Sequence, residues 1–445
     1  MDGSAGSYWQ LHFDENGHQA PGSSDPADVI QQVADGGVQD LFVMSHGWGS
    51  SEGDADDLYG AMFPLVDAAS EAPGSARFLG VYWPSLWFPD PPAATLRGLR
   101  TLRGAPPEPG QVDAALTGKA ITDALAAGLP KADQAKVKRM GRLIDEGLQA
   151  AARGEDRSAQ QRRLEQFHAL LTAVFATSAI AGEDSGESAL LSVSDPSTAY
   201  RALARTMGSA AAVDDTRGLG DLFGDVWNGA KDALRVASYF QMKERAGTVG
   251  REGLGPFLTS LKGEIPQVRV HLVGHSFGAR LVAFCLAGIP SASDSPVASL
   301  TLLQGAFSHW SFSDGSTGLG IRGALIGLQD RVHGPLCATF SGADWALVRW
   351  YPRASFLAHQ DDRDLDAGGR WGGMGADGYQ GVAAHEIALP LGGSETFVRS
   401  EFHRVDANHV INDTNASAFA GAHSDIRKPA IAALIAAAAR SSVPG

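Results

Sequence analysis

Residues 274–278 read Gly274-His275-Ser276-Phe277-Gly278, a G-x-S-x-G pattern that begins where the apolar run VRVHLV ends. A serine hydroxyl is a weak nucleophile at neutral pH. It attacks a carbonyl only when a base takes its proton, an acid orients that base, and N–H donors hold the developing oxyanion. The flanking glycines have a use of their own: they let a strand turn sharply into a helix, so that the serine stands out at the tip. The pattern occurs again at Gly49-Ser50-Ser51-Glu52-Gly53, so context has to separate the two. Ser276 has a β-leaning run before it and ARLVAFCLAG, which reads as a helix, after it. Ser51 is followed by Glu52-Gly53-Asp54-Ala55-Asp56-Asp57, acidic and without an apolar helical start at the right place. Ser276 is therefore the candidate nucleophile. Its bland alternative is a glycine-tight turn with no chemistry.

The elements that must position it follow from hydrophobic runs. VQDLFVMSHGWG (38–49), ARFLGVYWPS (76–85), VRVHLVGHSFG (268–278), VASLTLLQGAFSH (297–309), GPLCATFSGAD (334–344) and FHRVDANHVI (402–411) read as strands running into loops. PADVIQQVADGG reads as an amphipathic helix before the first of them, and KPAIAALIAAAAR as a terminal helix with Pro429 near its start. Continuous apolar strands alternating with helices predict an α/β protein with a mostly parallel central sheet flanked by helices, whose chemistry sits at the carboxyl ends of the strands. Residues 88–250 hold no convincing strand. A proline-rich, locally basic entry leads there into helical patterns such as QVDAALTGKAITDALAAGL and RRLEQFHALLTAVFATSAI. The expected organisation is a core of 1–87 and 251–445 with a large helical insertion, 88–250, able to cover the strand ends as a lid or cap.

Composition bounds the partners. The 445 residues are 44% hydrophobic and 19% charged, ordinary for a globular chain. A formal charge of −14 argues against nucleic-acid and anionic-membrane partners, both of which need a cationic surface. Cys285 and Cys337 alone cannot build a disulfide framework or a cysteine-rich metal site, and two free core thiols are the plainer reading. The N-terminus has no apolar leader core, and AIAALIAAAA is too short to span a bilayer. A soluble, cytoplasmic protein without a transmembrane segment is expected, although a leader removed earlier would leave no trace. The oligomeric state is not legible.

GHSFG, the upstream SHGWG and the candidate order Ser…Asp…His together resemble the α/β-hydrolase superfamily, along the strand framework from about residue 38 to the C-terminus. The resemblance implies an α/β-hydrolase fold and an esterase- or lipase-like serine hydrolase that needs no metal or cofactor, acting on a small-molecule or lipid-like ester. It also narrows the partners of Ser276. In the family the acid follows the strand two after the elbow strand, and the histidine follows the last strand. Asp344, at the end of GPLCATFSGAD, is the acid by that position, with Asp314 and Asp330 as substitutes if the strand count is off by one. A helix N-cap is the other use for Asp344, which precedes WALVRW. Among thirteen histidines, His423 in GAHSDIRKP lies between the last strand and the terminal helix, where the family places its base. His403 and His409 fall in the predicted last strand, and His385 precedes it. Ser424-Asp425 reads as a cap for the terminal helix. The oxyanion donors implied are the N–H groups of Phe277 and of Trp48 in His46-Gly47-Trp48, with His46 a structural loop residue. The stretch 49–53 then continues that loop.

Trp83, Phe307 and Trp345 are the aromatic residues proposed for a substrate pocket, with Trp48, Trp87, Phe88 and Trp310 also expected near it; core packing is an equal use for most of them. Asp362-Arg363-Asp364-Leu365-Asp366 starts like a calcium loop. It lacks glycine at the sixth position and has Gly373 rather than glutamate at the twelfth, which rejects an EF-hand. No HExxH, P-loop or dinucleotide-binding glycine pattern occurs. With the same three residues, the rivals are an amidase or peptidase, a thioesterase, an acyltransferase, or a catalytically silent binding protein on the same fold.

Overall fold

The computed structural model describes residues 2–49, 51–85, 115–175, 191, 193–210, 219–352, 369, 372–415, 417 and 420–442. Eight strands form one sheet: β1 (Trp9–His12), β2 (Asp40–Ser45), β3 (Arg77–Tyr82), β4 (Arg269–His275), β5 (Val297–Leu303), β6 (Leu336–Phe340), β7 (Ala384–Ala388) and β8 (Phe402–Asp406). Their order is β1-β3-β2-β4-β5-β6-β8-β7, and every neighbouring pair is parallel. The six expected strands are all present. β1 and β7 are additional: each is short and lies at an edge, where half-exposed residues blur the apolar run that marks a buried strand.

Side chains alternate across the sheet and feed two cores. Leu41 and Val43 of β2 point into one cluster, Phe42 and Met44 into the other. On the first face lie α1 (Pro26–Asp35) and the described helices between β3 and β4; on the second lies α2 (Glu52–Ala69). Between β3 and β4 the described helices are α3 (Gly118–Ala127), α4 (Lys131–Ala152), α5 (Arg157–Phe175), α6 (Pro196–Met207) and α7 (Leu219–Thr248). A π-helical turn, Val249–Leu254, joins α7 to α8 (Gly255–Glu264) without a break. The boundary expected at 250 thus falls inside a continuous helix. The buried residues of α3 to α7, among them Ile121, Met140, Phe167, Tyr200 and Trp227, belong to the same apolar cluster as the sheet's first face. α7 is covered on all sides although it is not apolar all round: Ala233, Leu234, Val236, Ala237, Tyr239 and Phe240 are buried, and so are Lys231, Asp232 and Arg235.

α9 (Phe277–Phe284) follows β4 and packs on the first face. A short α10 (Met374–Asp377) precedes β7, and α11 (Pro429–Arg440) closes the second face against α2. Cys285 and Cys337 are buried and free, and burial raises both thiol pKa values. Among the described residues, no helix is long and apolar enough to cross a membrane.

The strand order locates the crevice. From β2 the chain steps outward to β3; from β4 it steps the opposite way, to β5 and β6. Loops leaving the adjacent carboxyl ends of β2 and β4 therefore part to opposite sides. Such a switch point is where α/β sheets open a binding cleft. Here it lies between His46-Gly47-Trp48 and Ser276.

Candidate functional site

Ser276 holds φ 58° and ψ −123°, a left-handed conformation that is costly for a residue with a Cβ. Its backbone is held on both sides: Ser276 N–H donates to Leu303 O at 3.1 Å, and Ala306 N–H donates to Ser276 O at 3.1 Å. The glycines of GHSFG explain how strand and helix come this close. A Cβ on Gly274 would sit 2.3 Å from Gly278 O, and one on Gly278 would sit 2.2 Å from Ser45 O. The turn from β4 into α9 is thus a strained strand-to-helix elbow with the serine at its apex.

His46-Gly47-Trp48 lies directly against it. A Cβ on Gly47 would fall 2.6 Å from Ser276 Cβ, so only glycine lets this loop approach the hydroxyl. His46 fixes the loop from behind. Its ring Nδ1 lies 3.0 Å from Gly47 O, and its Nε2 accepts the Trp83 N–H at 3.3 Å, which requires a neutral ring protonated on Nδ1. Burial lowers its pKa to about 4. His46 is therefore neutral at pH 7, with both ring nitrogens engaged in holding the loop. Among the described residues, neither Phe277 N–H nor Trp48 N–H is spent on a hydrogen bond within the chain. The Trp48 ring packs edge-on against Tyr239 and Phe277 and lies 5.8 Å from Trp350.

Asp344 is wholly buried and sits four residues past the end of β6, which stops at Phe340 rather than running to Asp344 as expected. Both uses read from the sequence are present at once. Oδ1 accepts the Leu347 N–H at 3.1 Å and caps the following helical turn, while Oδ2 lies 2.7 Å from His423 Nδ1. The loops carrying the two residues are zipped together, with Ala422 N–H donating to Ala343 O and Trp345 N–H to Ala420 O. With Nδ1–H turned to the carboxylate, His423 keeps Nε2 as its acceptor. Among the described residues, Ser276 Oγ makes no hydrogen bond, to His423 or to any other group. What ties the histidine to the elbow is its neighbour: His275 Nε2–H donates to His423 O at 2.9 Å, and the two rings lie 4.9 Å apart. His275 itself is pushed down to about 3, by burial first and then by the charge of a protonated His423.

Gln304 is the residue that sequence reading missed. It follows β5 directly with φ 47°, is wholly buried, and donates from Nε2 to Asp344 Oδ2 at 2.8 Å and to Gly375 O at 3.0 Å. Thr339 Oγ1 donates to its Oε1 at 3.0 Å. A single polar residue closing the apolar run LTLL was the available signal.

The other candidates lie elsewhere. Asp314 is exposed in a loop and Asp330 is exposed in the 3-10 turn Leu328–Arg331. His403 is in β8, with its Nε2 accepting the Val398 N–H and its pKa lowered to about 4 by burial; His385 in β7 pairs with Glu401. His409 is not in the last strand but in the exposed turn after it, because β8 stops at Asp406. Asp425 does not cap α11, whose N-cap is Lys428 with no side-chain bond. It accepts the N–H groups of Asn412 and Asp413 instead. Residues 52–57, read as lacking a helical start, open α2: Ser51 is its N-cap in a capping box with Asp54, so the second G-x-S-x-G serine is a helix cap.

Of the proposed pocket aromatics, Trp83 is buried with Nε1–H donating to His46 O, and Phe307 is fully buried in the same core as Phe277. Trp345 is partly buried against Gly421 of the His423 loop. Trp310 packs over Gly318 and Gly381. Trp87, Phe88 and the stretch Asp362–Asp366 lie outside the described residues. A cavity of about 650 Å³ opens at the ends of β1 and β3; its wall includes His46 and Trp83 but none of Ser276, Asp344 and His423.

Compared with known proteins, the chain matches no family model, no curated protein and no solved structure.

Proposed function

We propose that the chain is a serine hydrolase of the α/β-hydrolase type that cleaves carboxylic esters. The observation that carries the reading is the strained elbow serine set beside an acid–histidine pair that follows it in chain order. Ser276 would attack the ester carbonyl. His423 Nε2 would take its proton and return it to the leaving alkoxide, and Asp344 would hold the imidazolium that forms. The N–H groups of Phe277 and Trp48 would receive the oxyanion; losing one such donor costs about 3 kcal/mol in comparable sites. Water would then release the acyl group. Residues 88–250 are proposed to cover the site as a lid.

The test is covalent labelling by a fluorophosphonate. The native chain should label stoichiometrically at Ser276 and lose the label in Ser276→Ala, with hydrolysis of short aryl esters lost in parallel. A native chain that stays unlabelled across pH 6 to 9 would sink the proposal. One observation favours a silent binding protein instead: the hydrogen-bond chain stops at His423 Nδ1 and does not reach Ser276 Oγ. Catalytic hydrogen bonds often close only with substrate bound, so the labelling result decides between the two readings. A panel of esters, thioesters and amides separates esterase from thioesterase and amidase. Rates against acyl length, with and without a lipid interface, test the lid.

A further inference from the structure

The cavity of about 650 Å³ at the ends of β1 and β3 has no part in that chemistry, and its walls have a consistent character. It is large enough for a ligand of ordinary metabolite or drug size. Phe13, Tyr82 and Trp83 supply aromatic faces, and Glu52 and Asp54 supply two carboxylates. Among the described residues, no lysine or arginine lines it. The two histidines on the wall add no charge at pH 7: burial lowers the pKa of His12, and that of His46 to about 4.

The carboxylates are not equivalent. Asp54 is engaged, its Oδ2 accepting from the Ser51 N–H at 2.9 Å and the Ser51 hydroxyl at 2.7 Å. Among the described residues, Glu52 pairs with His12 Nδ1 alone, at 3.6 Å, and its side chain is 80% exposed at the mouth, so it is the less engaged carboxylate of the wall. Tyr82 stacks face to face on the His12 ring at 4.3 Å and donates its phenol hydrogen to Asp56, which places a third carboxylate behind an aromatic wall. Among the described residues, a cation that opposes these carboxylates is Arg245. It stands behind the wall, donating to the backbone oxygens of Pro84 at 2.6 Å and Gly128 at 3.3 Å. One guanidinium held to carbonyls does not reverse the sign set by Glu52 and Asp54 at the open side.

Aromatic faces attract cations through the ring quadrupole, and a desolvated cation gains most when a carboxylate completes the site. We propose that this cavity binds a small organic cation, an ammonium carried on an aromatic or aliphatic body. The site stands apart from the nucleophile: His46 lines it, while Gly47, the next residue, faces Ser276. The inference goes beyond the hydrolase reading and does not require Ser276 to be reactive.

The experiment is calorimetric titration of the full chain at pH 7.5 with benzylammonium, benzyl alcohol and benzoate, three ligands of one size and three charges. Benzylammonium should bind at least tenfold more tightly than benzyl alcohol, and benzoate more weakly than either. Glu52→Gln, at an exposed position, should abolish the preference for the cation while leaving the thermal midpoint in place. Ala124→Trp, which fills the cavity from α3, should remove binding of all three; Ala127→Phe on the same helix serves if that variant does not fold. Equal binding of the alcohol or of benzoate overturns the proposal. So do a cation preference that survives Glu52→Gln, binding undiminished in the blocked variant, and absence of benzylammonium binding at millimolar concentration.

Discussion

Two donors converge on one oxygen, Asp344 Oδ2: His423 Nδ1 at 2.7 Å and Gln304 Nε2 at 2.8 Å. Leu347 N–H donates to Oδ1, and Gln304 is itself fixed by Gly375 O and the Thr339 hydroxyl, so the buried carboxylate is held from both sides. Gln304 thereby sets where the acid stands, and through it where His423 points. Gln304→Leu keeps the volume and removes the donor. If the hydrolase reading holds, kcat for an aryl ester should fall on the order of a hundredfold with KM within twofold, the cost of a small misplacement of a reacting group. A fall in thermal midpoint with kcat unchanged would assign Gln304 to packing alone. His275 does the equivalent for the candidate base, through the His423 carbonyl rather than its ring.

Among the elements, α7 connects the helices between β3 and β4 to the site. Its Tyr239 ring lies 5.1 Å from Phe277, 6.0 Å from Trp48 and 4.7 Å from Trp350, so one side chain touches both candidate oxyanion-loop residues. Arg280 of α9 donates to Lys243 O at 2.5 Å and fastens the elbow helix to the same stretch. Truncating a buried aromatic residue removes transfer energy and leaves a cavity. Tyr239→Ala should therefore destabilise the fold by about 3–5 kcal/mol, read by urea unfolding; if the hydrolase reading holds, it should also depress ester hydrolysis by loosening the Trp48 loop. A loss below about 1 kcal/mol, within the range of surface substitutions, would contradict this packing.

For the whole molecule, the buried histidines predict how stability depends on pH. The ordinary histidine value is 6.5, but burial holds His46 down to about 4 and His275 to about 3 in the folded chain. Below pH 6.5 the unfolded chain binds more protons than the folded one, so stability falls as pH drops from 6.5 towards about 3. Above 6.5 both rings are neutral in both states and this contribution is flat. Calorimetric midpoints should decline between pH 7 and pH 5, and the decline should be shallower in His275→Gln. A midpoint constant over that interval would show that these rings are not buried in neutral form.

How much of this was legible in the chain follows from the range of the physics involved. The alternation of continuous apolar runs with helical patterns is a local consequence of burial, so the α/β class and six of the strands could be read directly. The glycines around Ser276 were legible for the same reason, since the crowding they relieve involves residues only a few positions apart. Ser51 shows the limit of that logic. Its pattern is the same, but its hydroxyl is claimed by Asp54 as a helix cap, which depends on backbone geometry rather than composition. The edge strands β1 and β7 escaped because exposure on one side removes the apolar signal. Gln304, His275 and Tyr239 could not be found locally at all. Each acts on a group that the sheet order brings close, 40 residues away for Asp344, 148 for the His423 carbonyl and 38 for the Phe277 ring. The sequence by itself determined that a serine would sit at a strand-to-helix turn. Only the tertiary structure decided which acid, histidine and clamps meet there, because strand order and loop pairing are set by long-range packing that no local window contains.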